Sequence, residues 1–196
     1  MIKNYLEVLN DHESHDTENL LLRKFTIEDA SDVLEYGSDA DTLKYLVWAG
    51  ISTIDDAKAA IMEYYWSRSG FFAIEQKKRK KCIGCIDLRL EPEHEKASFG
   101  YVLNRQYWGK GYMTEALLTL LEFCFEKLGL NRVESTHFAG NEGSGKVMQK
   151  CGMEREGLAR QEVKVKGVFH DVVHYGITKE RWLSVCAALG PASRSG

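Results

Sequence analysis

Residues 106–111 read QYWGKG and sit between two strongly patterned segments. Before them, in ASFGYVL, Ala97, Phe99, Tyr101 and Leu103 alternate with Ser98, Gly100, Val102 and Asn104, the period of a strand. After them, Met113, Ala116, Leu117, Leu120, Leu121, Cys124 and Leu128 recur at three- and four-residue steps. That spacing predicts a helix from Gly111 to about Lys127 with one buried face, ended by Gly129. Strand, two-glycine loop and helix must therefore follow one another directly. Gly109 and Gly111 let several backbone amides turn toward one anion, and the helix start adds the positive end of its dipole. The stretch predicts a phosphate cradle.

The rest of the chain fits one domain around that unit. Residues 1–16 read as a flexible N-terminal extension and 19–25 as a first strand. Thr26 and Asp29 form a capping-box start for a helix reaching about Tyr36. Further helices are expected at about 39–45 and from Ser52 to near Gly70. Strands follow at 71–76, 82–90 and 96–103. Beyond the central helix come a strand at 132–138, a short helix in GSGKVMQKCG, and closing strands at about 154–165 and 169–177 around a Lys166-Gly167 turn. The order β-α-α-β-β-β-α-β-α-β-β predicts an α/β (α+β) fold with a mixed, mostly antiparallel central sheet and helices on both faces. The domain is expected at 17–180, followed by a partly disordered tail at 181–196 whose GPASRSG end is disordered.

With 196 residues the chain can bury a sizeable core. Its net charge of −3 argues against a dedicated nucleic-acid binder, and no DNA partner is expected. No apolar run reaches membrane-span length, and the polar, acidic N-terminus lacks a signal-peptide core, so a cytoplasmic protein is predicted. The five cysteines have irregular spacing, which predicts free thiols. Cys82-x-x-Cys85 lies on a predicted strand, where residues three apart point to opposite faces, so packing rather than redox chemistry is expected. A second Cys pair that would complete a zinc site is missing from the sequence.

The spacing Q/R-x-x-G-x-G/A at 106–111 resembles the acyl-CoA pyrophosphate loop of the GNAT N-acetyltransferases. Two more segments strengthen the likeness. Asn141-Glu-Gly-Ser144 running into KVMQKCGM is similar to the family's Asn-x-x-Ser and the segment that closes it. EGLAR to HDVVHYGI, at 156–177, is similar to the ending of the RimJ/RimL type, which acetylates protein N-termini. The resemblance spans about 17–179. It implies a GNAT-like fold and an acetyl-CoA-dependent N-acetyltransferase, with direct attack by a primary amine and no metal. The implied acceptor is a protein N-terminal α-amine, with ribosomal proteins as candidates. A small amine (polyamine, aminoglycoside or amino-acid derivative) and a non-catalytic acyl-CoA-binding regulator are the alternatives. A monomer or homodimer is implied.

The resemblance also assigns residues. The coenzyme pyrophosphate would lie on the backbone around Trp108, Gly109, Lys110, Gly111, Tyr112 and Met113, flanked by Gln106 and Thr114. The pantetheine arm would run beside Tyr101, Val102 and Leu103, where the strand splays from 132–138. A backbone N–H near Leu103 would polarise the thioester carbonyl. Asn141, Ser144, Lys146 and Val147 complete the coenzyme set. Many GNAT enzymes place a Tyr seven residues after that Asn; here it is Met148, so Ser144 is expected to contact the leaving sulfur. Asn141 reads equally well as a helix cap. An α-amine, with a pKa near 7.7–8.0, is roughly a tenth neutral at pH 7 and needs little help from a base. Glu162 is the nearest carboxylate for that role, although the family position aligns with Val163. His137 is a further candidate.

Other signals compete. GNEGSGKV at 140–147 nearly spells a nucleotide P-loop, but Val147 replaces the Mg²⁺-binding Ser/Thr. Lys77-Lys-Arg-Lys-Lys81 reads as a solvated hairpin tip able to touch an acidic substrate, RNA or a ribosomal surface. His170, Asp171 and His174 read as structural. Tyr45, Trp48 and Tyr64 either line an acceptor cleft or pack in the core.

Overall fold

A computed structural model describes residues 4–189. The predicted disorder at 190–196 lies outside the described residues. The helices are α1 (Tyr5–Asp11), α2 (Ala30–Gly37), α3 (Ala40–Leu43), α4 (Ile54–Ala59), α5 (Tyr112–Glu122), α6 (Glu142–Lys150) and α7 (Lys179–Leu189). The strands are β1 (His15–Asp16), β2 (Leu20–Arg23), β3 (Phe71–Gln76), β4 (Lys81–Glu91), β5 (Lys96–Leu103), β6 (Arg132–Phe138), β7 (Glu154–Val165) and β8 (Val168–Thr178). The fold is mixed α/β with an eight-stranded, mostly antiparallel sheet, as expected. The chain forms two compact units. One holds the residues up to Leu88 together with Gly100–Ala116; the other holds Arg89–Phe99 and the chain from Leu117 onward.

In the first unit the strand order is β1-β2-β3-β4-β5. Val33 and Tyr36 of α2, with Ala57, Ile61 and Tyr65 on and after α4, pack on Ala73, Cys82, Cys85 and Val102. Each such large apolar side chain contributes about 1.5–3 kcal/mol when fully buried. The Thr26–Asp29 capping box forms: the Thr26 amide donates to the Asp29 carboxylate at 2.8 Å, and Arg23 pairs with Asp29 at 2.7 Å. Where a flexible extension was expected, Asn4 caps α1 through the Glu7 amide, Tyr5 and Leu9 are buried, and His15 pairs with Leu22. A seven-residue helix has little stability of its own, so its sequence signal was weak and its burial decides it. Cys82 and Cys85 do not diverge. The β3–β4 register slips between Ile74, opposite Gly84, and Glu75, opposite Cys82. Ile83 is the extra residue, and this bulge resets the alternation so that both thiols enter one core cluster. Burial raises both thiols, Cys85 to about 12, which disfavours the nucleophilic thiolate in each.

In the second unit the order is β5-β6-β8-β7. The β5–β6 pairing is parallel, from Lys96↔Arg132 to Phe99↔Ser135, and Ser135 Oγ donates to the Phe99 carbonyl at 2.8 Å. The β7–β8 hairpin turns at Lys166 (φ 50°) and Gly167 (φ 83°), the left-handed pair that a tight two-residue connection requires. α6 lies close on β6 and β8: a Cβ on Gly145 would stand 2.9 Å from His137 Nε2 and 3.2 Å from the Tyr175 hydroxyl. The expected C-terminal tail is instead helical from Lys179 to Leu189, with Trp182 buried and stacked on Phe125 at 5.7 Å.

Candidate functional site

The end of β5, the glycine loop and the first turn of α5 all lie in the first unit. Val102 and Leu103 are buried and Tyr101 is half-buried. After Leu103 the chain folds back on itself. Asn104, itself buried, donates its amide to the Ile83 carbonyl at 2.7 Å and accepts the Gln106 amide on Oδ1 at 3.0 Å. The Tyr107 amide donates to the Asn104 carbonyl and the Trp108 amide to the Arg105 carbonyl. Trp108 Nε1 donates to the Leu103 carbonyl at 2.7 Å. The Trp108 amide is therefore already bonded within the loop.

Beyond Trp108 the pattern changes. Gly109 and Gly111 have φ of 73° and 87°, and among the described residues the amides of Gly109, Lys110, Gly111, Tyr112 and Met113 make no internal hydrogen bond. The Glu115 amide is bonded to the Gly111 carbonyl at 3.0 Å. A Cβ on either glycine would meet nothing within 4 Å. These glycines are needed for their backbone conformation, and the space above them is open. Five consecutive donors at a helix start are the arrangement that an anion requires. Thr114 and Glu115 follow in the first turn. The Glu115 carboxylate accepts from Thr17 Oγ1 at 2.6 Å and from the Asn19 amide at 2.8 Å, which ties that turn to the start of β2.

Residues that the sequence pattern did not single out hold this loop. Glu35 of α2 accepts from Asn104 Nδ2 at 2.8 Å, Gln106 Nε2 at 3.2 Å and Lys81 Nζ at 2.8 Å. Hydrogen bonds from Lys81 and then Asn104 hold its carboxyl below the usual range. Lys81 also pairs with Asp32, whose other oxygen accepts the Cys82 amide. Burial opposes the Lys81 charge, but its two carboxylate partners outweigh this and raise its pKa. No local motif links Glu35 to a loop 69 residues later. A Cβ on Gly84 would lie 2.2 Å from the Val102 carbonyl oxygen, so β4 and β5 meet there backbone to backbone. The basic run is a hairpin tip as expected, but Lys77 is paired with Asp16 at 2.8 Å and Lys81 with Asp32 and Glu35, so its two ends are neutralised.

The remaining predicted residues lie in the second unit. Asn141 caps α6 through the Ser144 amide at 3.4 Å. Ser144 is half-buried in the first turn, Lys146 is exposed and Val147 half-buried. Met148 is fully buried and fills the core. Because α6 starts at Glu142, all of GNEGSGKV after Asn141 is helical and forms no phosphate-wrapping loop. Glu162 lies in an irregular stretch of β7 between the pairs Ala159↔Val172 and Val163↔His170. Gln161 there has φ 51°, and its amide is held by Asp171 Oδ1 at 2.8 Å. Glu162 Oε2 meets His174 Nε2 at 2.7 Å, a carboxylate–imidazole pair absent from the sequence reading. His137 is occupied structurally: Nδ1 lies 2.9 Å from the Phe138 carbonyl and the ring packs on Tyr175. His170 stacks on Phe138 at 4.6 Å. Trp48 packs against the first unit's core, and Tyr64 is exposed, with its ring under Arg68. No group of three metal-ligating side chains occurs among the described residues. A cavity of about 310 Å³ lined by Leu9, Phe25, Tyr65, Trp66 and Phe71 contains none of the predicted site residues.

Comparison with known proteins identifies the family. Residues 19–154 match the acetyltransferase (GNAT) domain family. The chain is 32% identical to an uncharacterised N-acetyltransferase of Bacillus licheniformis over 171 residues, 85% of this chain and 96% of the relative. It is 39% identical over 100 residues to a putative ribosomal N-acetyltransferase of Bacillus subtilis, covering 50% of this chain and 55% of that one. A crystal structure of a GNAT-family acetyltransferase from Bacillus anthracis superposes with a TM-score of 0.78 at 29% identity, over 85% of this chain and 99% of the other.

Proposed function

The chain belongs to the GNAT acetyltransferase family, whose members use acetyl-CoA, and from that premise we propose that it acetylates the N-terminal α-amine of a protein. The observation that carries the coenzyme half is the run of five amides from Gly109 to Met113, turned outward by two left-handed glycines. It offers the donors that a diphosphate needs. The Asn104 amide is committed to Ile83, so the oxyanion donor is assigned to the Leu103 amide, one residue earlier.

The acceptor reading rests on two supports. One is the likeness to the putative ribosomal N-acetyltransferase. The other is chemical: an α-amine is sufficiently neutral at pH 7 to attack with modest help, whereas a lysine-like amine near pKa 10.4 needs a strong base. As the amine nitrogen bonds to the thioester carbon, the carbon–sulfur bond breaks, the nitrogen sheds one proton and the sulfur leaves as thiolate. Ser144 is assigned to donate a hydrogen bond to that sulfur. Glu162, paired with His174, is assigned to take the proton through water.

The test has two stages. Calorimetric titration with acetyl-CoA, with Mg-ATP as control, is expected to show micromolar binding of acetyl-CoA alone. An acceptor panel of Ser- and Ala-starting peptides, polyamines and aminoglycosides is then expected to show acetylation of the peptides. Turnover of polyamines or aminoglycosides with none of the peptides would overturn the acceptor reading and leave the coenzyme reading standing.

A further inference from the structure

The middle of the basic run is not used by the reading above. Lys77 and Lys81 are neutralised, whereas Arg79 has no carboxylate partner among the described residues. The Arg79 guanidinium reaches the Tyr107 hydroxyl at 3.5 Å. Lys110, from the glycine loop itself, holds its ammonium 5.2 Å from the centroid of the same ring, also with no carboxylate partner among the described residues. Tyr107 is buried, and both cations reach it.

The tip that carries Arg79 is held in place. The Arg79 amide donates to both the backbone and side-chain oxygens of Gln76, at 3.2 and 3.0 Å, and Gln76 is buried. The neighbouring acids are already engaged: Glu35 by Lys81, Asn104 and Gln106, and Asp41 by Arg105. An anion placed near both would offset the repulsion between the two like charges. The amides from Gly109 to Met113 account for one diphosphate and leave these two charges over.

Acetyl-CoA carries, besides its diphosphate, a separate phosphomonoester on the ribose 3′ position, with a charge near −2 at neutral pH. We propose that Arg79 and Lys110 form the binding site for this 3′-phosphomonoester, and so make the protein select the full coenzyme over its 3′-dephospho form. The guanidinium offers paired donors to phosphate oxygens, and Lys110 adds a point charge. This inference rests on the acetyl-CoA reading.

The experiment is titration of the full chain, at low and at moderate salt, with acetyl-CoA and with 3′-dephospho-acetyl-CoA. The parent is expected to prefer acetyl-CoA by about tenfold or more, the scale of one charge-assisted contact. Arg79→Ala is expected to remove most of that preference by weakening acetyl-CoA alone, and Lys110→Ala to reduce it. Lys78→Ala, at an exposed position on the same tip, is expected to keep it. The preference is expected to shrink as salt rises. A parent indifferent to the 3′-phosphate, or an Arg79→Ala variant that weakens both ligands equally, would overturn the subsite while sparing the coenzyme reading. Binding of neither ligand to the parent would overturn both.

Discussion

At the scale of single residues, the glycine loop depends on partners that lie far away in sequence. Glu35 joins Asn104, Gln106 and Lys81 at one carboxylate. Glu35→Ala leaves the Asn104 and Gln106 side-chain donors without their acceptor and lets the loop entry move. The expected result is a roughly tenfold rise in the acetyl-CoA KM with little change in kcat, since a positioning contact worth about 1.5 kcal/mol is lost. Steady-state kinetics across acetyl-CoA concentrations checks this. Ser144→Ala acts on the other parameter. If the hydroxyl assists the leaving sulfur, kcat falls by about tenfold to a hundredfold while the calorimetric acetyl-CoA affinity is kept. An unchanged kcat would leave Ser144 as a capped residue of α6 and no more. Asn141, expected either in the coenzyme set or as a helix cap, caps α6.

At the scale of elements, periodicity located most strands and helices, and irregularities decided what they present. The slip at Ile83 brings Cys82 and Cys85 to one face, and the irregular stretch before Val163 brings Glu162 to His174. Neither departs from strand-like composition, so a period-two reading passes through both without a signal. Gly84, next to the first slip, is where β4 and β5 come closest. Gly84→Ala would drive a methyl into the Val102 carbonyl, which cannot move without disturbing β5. A loss of about 1–3 kcal/mol is expected from urea unfolding, together with weakened acetyl-CoA binding, because the displaced strand leads into the loop.

At the scale of the whole molecule, stability should fall in two steps on acidification. His15 is kept neutral by burial and then by His12, with its pKa lowered to about 4. A histidine with a depressed folded pKa favours the fold above its unfolded value near 6.5, and that contribution is lost as pH falls from there toward 4. Glu35 and Glu156 are held low by hydrogen bonds from Lys81 and Arg132 respectively; in Glu134 burial opposes ionisation, but bonds from Lys96 and Arg132 outweigh it. Their contribution is present above the unfolded carboxyl value near 4.3 and disappears as pH falls through their depressed folded values. Urea midpoints measured from pH 7 to pH 3 should show both steps. His15→Phe, which keeps an aromatic ring against Phe72, should remove the first step and leave the second.

The sequence by itself determined most of the order of elements, the two-glycine turn before α5 and the family, because hydrophobic period, glycine placement and helix capping are local properties that nearby residues specify. Tertiary structure decided the rest. The short helix α1 exists through the burial of Tyr5 and Leu9, and α7 buries Trp182 where a tail was expected. Glu35 reaches its loop, Arg79 reaches Tyr107 and Glu162 reaches His174 only when separate segments come together. Contacts of that kind leave no pattern among sequence neighbours. A carboxylate or guanidinium on a helix, turn or strand looks like any solvated charge until the fold supplies its partner.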